Sequence, residues 1–313
     1  MFEIIRYTPD KADEWNQFVA TSKNGTFLFD RRYMDYHSDR FEDYSLIISN
    51  KGKLFALLPA NKDGDTLHTH QGLTYGGLVT DSKATADAML TLMQELNAYL
   101  RDEVFHHVRY KAVPWHYHLQ PAEEDLYAIF RVCDARFYSR EVSSVIPLSS
   151  PLKWTTLRQR CLKKALAQHV EVRESNDLAT FWTILSENLW EKFKSHPVHT
   201  LDEITLLQQR FPDNIRLFAA FQGTTMIGGM LFYISQQVVH TQYISANEEG
   251  LRLGAIDAIM ATVLPHFSDY RYFDLGRSTT EHGQGLNSGL IFQKEGFGAR
   301  TICYDTYEWD IKS

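Results

Sequence analysis

A chain of 313 residues with 32 lysines and arginines against 39 aspartates and glutamates carries a formal net charge of -7. Its length excludes one small domain and suggests two, and its charge excludes a dedicated nucleic-acid binder that works through a global positive field. Apolar residues are 44% and charged residues 23% of the sequence, the balance of a folded protein with real cores, so extended disorder is excluded as well.

Along the chain, Phe2 to Tyr7 reads as a strand, and Asp10 can cap a helix that carries Trp15, Phe18 and Val19 on one face. From Tyr44 the period changes to two. Tyr44–Ile48, Leu54–Leu58 and Leu67–Leu73, separated by turns at Asn50-Lys51-Gly52 and Asp63-Gly64-Asp65, predict a three-stranded meander. A helix follows the loop Tyr75-Gly76-Gly77, with Met89, Leu92, Met93, Leu96 and Leu100 at helical spacing. A strand around Val108–Val113, a helix at Glu123–Val132 and a strand at Tyr138–Ile146 complete this half. The prolines and serines of Ile146-Pro147-Leu148-Ser149-Ser150-Pro151 interrupt both periodicities and mark a seam, giving domains at 1–148 and 149–313.

The second half repeats the unit. Ile215–Phe221, Met226–Ser235 and Val238–Ala246 form a second meander, and Leu253, Ile256, Met260, Val263, Leu264 and Phe267 a second amphipathic helix. Tyr272–Leu275, a helix near Leu286–Lys294 and a last strand at Thr301–Trp309 complete it. The offset between the copies stays at about 167–173 residues over four elements, which is the mark of an internal duplication. The fold class expected is α+β, with each half a mixed, mostly antiparallel sheet flanked by helices.

Three cysteines, Cys133, Cys161 and Cys303, lie far apart without a C-x-x-C pair, so neither a disulfide framework nor a thiolate metal centre is expected. The N-terminus is charged from Glu3 and lacks the apolar core of a signal peptide, and no run is long enough to span a membrane. A cytoplasmic location is therefore expected.

The segment Tyr272-Phe273-Asp274-Leu275-Gly276-Arg277-Ser278-Thr279, then Gly285-Leu286, then Phe292-Gln293-Lys294-Glu295-Gly296-Phe297-Gly298, resembles the closing motif of FemABX-like acyltransferases of the GNAT superfamily. Upstream, Leu157-Arg158-Gln159-Arg160-Cys161-Leu162-Lys163-Lys164-Ala165 is similar to the basic helix that opens the second domain in that group. The resemblance implies two GNAT-like domains facing each other across a cleft, and transfer of an acyl or aminoacyl group to an amine. The acceptor implied is a cell-envelope precursor or an amino sugar. Acyl-CoA or aminoacyl-tRNA would be the co-substrate, with tRNA a possible partner; neither DNA nor a metal is expected.

In such a fold two neighbouring strands splay and leave main-chain groups to hold the donor arm, while a helix N-terminus receives phosphate. The strands would be Val238–Ala246 and Tyr272–Leu275, and the cofactor-binding residues Arg252, Leu253, Gly254, Ala255 and Lys294. His240, Asp274 and Arg277 are the candidate catalytic residues: Arg277 as a fork for phosphate or carboxylate, the other two for proton transfer. His68, His70, Gln71, Tyr75, Tyr243 and Ser278 are candidate substrate contacts. His68 and His70 alternate on one predicted strand and should share a face, though two histidines without a third ligand make no metal site. His240 and Tyr243, three apart, should face opposite sides. The cluster Arg158, Arg160, Lys163 and Lys164 reads as a solvated helix face or a phosphate grip.

Two departures stand out. The loop Asn247-Glu248-Glu249-Gly250-Leu251-Arg252 keeps only the first glycine of the usual phosphate loop and adds two glutamates, and Phe292 stands where acetyl-CoA enzymes present a tyrosine to the leaving thiolate. An aminoacyl-tRNA-dependent peptidoglycan-bridge transferase and a non-catalytic GNAT-like binding protein are the alternatives at this point.

Overall fold

Where hydrophobic alternation meets a turn that the chain can make, a hairpin forms. Lys51 and Gly52 both adopt positive φ, 50° and 72°, the twist-matched geometry for joining antiparallel strands. The computed structural model describes residues 1–312. In chain order it contains β1 (Phe2–Arg6), α1 (Ala12–Thr21), β2 (Leu46–Asn50), β3 (Lys53–Leu58), β4 (Asn61–Asp63), β5 (Thr66–His68), β6 (Val79–Thr80), α2 (Ala86–Asp102), β7 (His107–Lys111), α3 (Glu124–Ala128) and β8 (Arg136–Pro147). There follow α4 (Thr156–Ala167), β9 (Val170–Ser175), α5 (Leu178–Phe193), α6 (Leu201–Arg210), β10 (Ile215–Gln222), β11 (Thr225–Ile234), β12 (Val238–Ala246), α7 (Glu248–Leu253), α8 (Ala255–His266), β13 (Tyr272–Arg277), α9 (Ser288–Gly296) and β14 (Arg300–Asp310).

Two compact units divide the chain. The first is Met1–Glu141 with Thr280–Gly285 and Cys303 onward; the second is Val142–Thr279 with Leu286–Ile302. This differs from a single cut after residue 148, because the seam lies inside β8 and the end of β14 returns to the first unit. The reason is burial: Trp309 packs into the first core with Leu96, Leu100, Phe105 and Tyr110, and Tyr307 lies against it.

In the first unit β1, β2, β3 and β6 form one antiparallel sheet in that order. The helix α2 buries the five residues its spacing predicts, Met89, Leu92, Met93, Leu96 and Leu100. The expected third meander strand, Leu67–Leu73, is corrected. Only Thr66–His68 is strand; it pairs with β4 on one side and runs parallel to β7 on the other. His70 has φ 71°, so the chain turns there and the two histidines do not share a strand face.

In the second unit the order is β9, β10, β11, β12, β13, β8, antiparallel except for the parallel pair β12 and β13. One face carries Met230, Phe232, Val239 and Phe273 against Ile259, Met260 and Val263 of α8. On the other, Phe181 of α5 packs so closely on Gly229 that an added Cβ would meet its ring at 2.7 Å. The helices α5 and α6 have no counterpart in the sequence reading; α6 starts from a capping box between Thr200 and Glu203.

A bulge in β12 corrects a second expectation. Tyr243 lies opposite Leu231 and Thr241 opposite Phe232, which leaves Gln242 as the extra residue, while His240 lies opposite Tyr233. Leu231 and Tyr233 share a face, so His240 and Tyr243 do too.

The short helix α7 rests directly on β11. Asn247 N donates to the Ile227 carbonyl at 3.1 Å, and a Cβ on Gly250 would lie 2.0 Å from the same oxygen. Gly250→Ala should therefore cost about 3 kcal/mol, the upper part of the range for overpacking. Gly289→Ala, whose Cβ would meet only Asn287 Oδ1 at 3.7 Å, should be neutral or gain up to about 1 kcal/mol as a helical Gly-to-Ala change. Urea unfolding of both variants checks the contrast.

Candidate active site

Strands β12 and β13 pair for three residues, Val238 with Tyr272, Val239 with Phe273 and His240 with Asp274, and then part. Beyond that point β12 continues to Ala246 with β11 as its ladder partner. In β13 the pairing with β8 also shifts between Asp274 and Arg277. Gly276 makes the bend, with φ 78°.

The branch point is polar and buried. Asp274 is fully buried, and its Oδ1 accepts from Ser143 Oγ at 2.5 Å and from Gly276 N at 2.8 Å. Its Oδ2 lies 3.2 Å from His240 Nδ1. That distance is within ion-pair reach, although the ring is turned out of hydrogen-bond alignment. His240, 9% exposed, thus has one ring nitrogen close to a carboxylate.

Lys294, from α9, holds the bend from the other side. Its Nζ donates to the carbonyls of Gly276 and Arg277 at 2.8 and 2.9 Å and to Ser278 Oγ at 2.9 Å. Burial lowers its pKa to about 8, partly opposed by Asp274. All three ammonium hydrogens have acceptors, so this lysine positions β13 and leaves no donor for a cofactor phosphate. Ser278 is likewise a positioning residue: its N donates to the Val142 carbonyl at 2.8 Å and its carbonyl accepts from Asn287 N at 2.9 Å. Arg277 is exposed at the end of β13.

On the α5 side of the sheet Tyr243 meets His199, whose Nδ1 lies 2.6 Å from the phenol oxygen, and Trp182 at 5.1 Å between ring centroids. Burial raises the Tyr243 pKa. His199 lies just before the capping box of α6, a position whose only sequence signal is that box. Further along β12 a cavity of about 280 Å³ is lined by Leu185, Leu189, Ile244, Ala246, Ile256 and Leu290, among others.

A second cavity of about 330 Å³ lies at the head of α8 and is lined by Arg158, Gly250, Gly254, Ala255, Asp257 and Phe292, among others. The helix starts where expected, with Gly254 as N-cap at φ 82° and only 2.7 Å available between an added Cβ and the Cys161 carbonyl. Leu253 is buried, and Arg252 is exposed and paired with Glu249 at 2.5 Å. The helix head already has a carboxylate: Asp257, 3% exposed, stands in its first turn 3.3 Å from Arg158. Burial raises the Asp257 pKa to about 6 despite that guanidinium. Sequence reasoning missed Asp257, although an acid in the first turn of a helix is a recognisable signal. Arg160, Lys163 and Lys164 are exposed.

In the first unit His68, His70 and Tyr75 are buried, while Gln71 is exposed. His70 is buried and stacked on His37, with centroids 5.2 Å apart, and burial drives its pKa down to about 3. Burial also lowers the pKa of His68. Gln71 exchanges hydrogen bonds with Asn61 at 2.7 and 2.8 Å, and buried Tyr75 donates to Thr26 Oγ1 at 3.1 Å. Among the described residues no three His, Cys, Asp or Glu side chains gather as metal ligands.

This architecture is the tandem GNAT fold of the FemX type. No known family profile matches the sequence, and no curated protein matches it. Solved structures do. FemX superposes with a TM-score of 0.68 at 10% identity, over 98% of this chain and 97% of that one. The L-PGS structure from Bacillus licheniformis gives 0.62 at 12% identity, over 98% and 93%. A tandem GNAT protein from the clavulanic acid biosynthesis pathway gives 0.51 at 10% identity, over 100% and 99%. At such identities the likeness establishes the fold. No described helix is long and apolar enough to cross a membrane.

Lys294→Met leaves two carbonyls and a hydroxyl without their donor and should destabilise the protein by about 1–3 kcal/mol in denaturant titration at neutral pH. The pH dependence has a definite sign. The folded pKa of about 8 lies below the ordinary 10.5, so between these values the unfolded chain binds more protons and stability rises with pH. The stability difference between wild type and Lys294→Met should therefore widen from pH 8 towards pH 10; a constant or shrinking difference would contradict the depressed pKa.

Proposed function

We propose that the chain is an N-acyltransferase, moving an acyl or aminoacyl group to the amine of a cell-envelope precursor or amino sugar. The reading is carried by the parting of β12 and β13 after His240 and Asp274. In it the donor lies along the open edge of β12, with its carbonyl oxygen at main-chain N–H groups that no neighbouring strand takes up. The amine nitrogen attacks the carbonyl carbon, the bond to the donor's sulfur or oxygen breaks, and one amine proton passes to His240, directly or through one water. The leaving group departs as thiol or alcohol after taking up a proton. Asp274 Oδ2 lies 3.2 Å from the other ring nitrogen, Nδ1. Arg277, exposed where β13 ends, is assigned to a substrate carboxylate or phosphate.

His240→Ala should lower kcat by about 10²–10⁴ with little change in KM, the size of a general-base contribution. The measurement is transfer from labelled acyl thioesters or charged tRNA to a panel of amines. Absence of transfer from every donor would overturn the enzyme reading and leave a binding protein.

One observation favours a donor other than acyl-CoA. Asp257 places a carboxylate at the helix head where a pyrophosphate would lie, and like charges at that range oppose binding strongly. An aminoacyl ester of tRNA, with exposed Arg160, Lys163 and Lys164 facing RNA phosphate, is the second reading. Asp257→Asn should tighten CoA binding by about tenfold, equal to 1.4 kcal/mol. Wild-type CoA affinity should also rise as pH falls through about 6, where this carboxyl takes up its proton. Calorimetric titration with CoA at two pH values checks both.

A further inference from the structure

The cavity beside the open part of β12 has a composition that neither an acetyl group nor a phosphate explains. Its walls are Leu185, Leu189 and Phe193 of α5, Ile244 of β12, Ile256 of α8 and Leu290 of α9. Several of the polar atoms between them are engaged. Asn188 Nδ2 donates to Ser245 Oγ and to the Ala246 carbonyl, both at 2.7 Å, and Ser245 Oγ also reaches the Ile184 carbonyl at 3.4 Å. Asn287 Oδ1 accepts from Leu290 N at 3.0 Å. The remaining polar residues, exposed Lys192 and half-buried Gln293, are less enclosed. Two apolar lining residues are open to solvent, Leu251 at 56% and Phe193 at 63% exposure.

We propose that this cavity takes the aliphatic chain of a medium-length acyl group. The walls are mostly apolar side chains, against which a polymethylene chain needs no partner and gains from every group it buries. The volume of about 280 Å³ holds on the order of nine groups of water or methylene size, at about 30 Å³ each. The inference rests on the acyl-transfer reading and narrows its substrate. It also fits the acidic head of α8, since recognition through the chain does not depend on a phosphate.

The test uses the full chain with acetyl, butyryl, hexanoyl, octanoyl and decanoyl thioesters of N-acetylcysteamine, which carry no pyrophosphate. Aminoacyl-tRNA serves as a separate donor, and decanoate binding is measured by calorimetry. The expected result is a rise in kcat/KM of roughly fourfold per methylene until the cavity is full, together with saturable decanoate binding. Leu189→Trp should end the rise at a shorter chain and weaken decanoate binding at least about tenfold, while Leu189→Ala should extend it, as pocket volume dictates. A flat profile with active acetyl or aminoacyl donors would overturn the chain reading and leave the transferase standing. Decanoate binding that responds to both variants, without transfer from any donor, would keep the chain reading and remove the transferase. Failure of decanoate to bind would overturn the proposal outright.

Discussion

The structure of the second unit turns on how β13 is kept from continuing beside β12. A strand that has paired for three residues ordinarily goes on pairing, because each further rung satisfies two main-chain groups. Here Gly276 bends out of the extended region at φ 78°, and Lys294 draws the carbonyls of Gly276 and Arg277 onto an ammonium. A hydrogen bond to a charged donor contributes about 1.5–3 kcal/mol against about 0.5–1.5 for a neutral rung, so the lysine prevails over the ladder. Asp274 adds to the bend by accepting from Gly276 N. The carboxylate that faces His240 therefore also helps to open the strand edge beside it.

Much of this was legible in the sequence because it is local. Val238–Ala246 alternates and is a strand over that span, and Gly254-Ala255 opens α8 as its spacing predicts. What escaped depends on partners. The bulge at Gln242 arises only when β12 pairs with β11, yet it decides that His240 and Tyr243 share a face. His70 alternates with His68 on paper, but a left-handed turn removes it from the strand. Lys294 belongs to a motif that implies cofactor contact, and only its three acceptors show it to be a clamp. Ser143 lies 131 residues from the Asp274 it supports, a separation that no local pattern encodes.

His37 and His70 sit in a different setting from His240. Burial makes the charged forms of His37 and His70 unfavourable: they are pushed to about 4 and 3, and their rings stack. A neutral imidazole enclosed by aromatic rings is an apolar filler with little proton chemistry near neutral pH. Where β12 and β13 part, by contrast, the His240 ring has Asp274 Oδ2 3.2 Å from its Nδ1.

The head of α8 extends the same electrostatic argument to the donor. A helix N-terminus attracts anions, and here the anion is internal: Asp257, paired with Arg158 from α4. An incoming phosphate must compete with a carboxylate that is covalently present and already near its guanidinium, so the dipole gives it little advantage at neutral pH. The neighbouring apolar cavity shares Leu251, Ile256 and Gln293 with this head, and faces no such competition. Between two adjoining spaces, one electrostatically occupied and one apolar, selectivity passes to the one whose walls still gain by being covered. In the proposed transferase, donor choice would follow the carbon chain more than the charge at its other end.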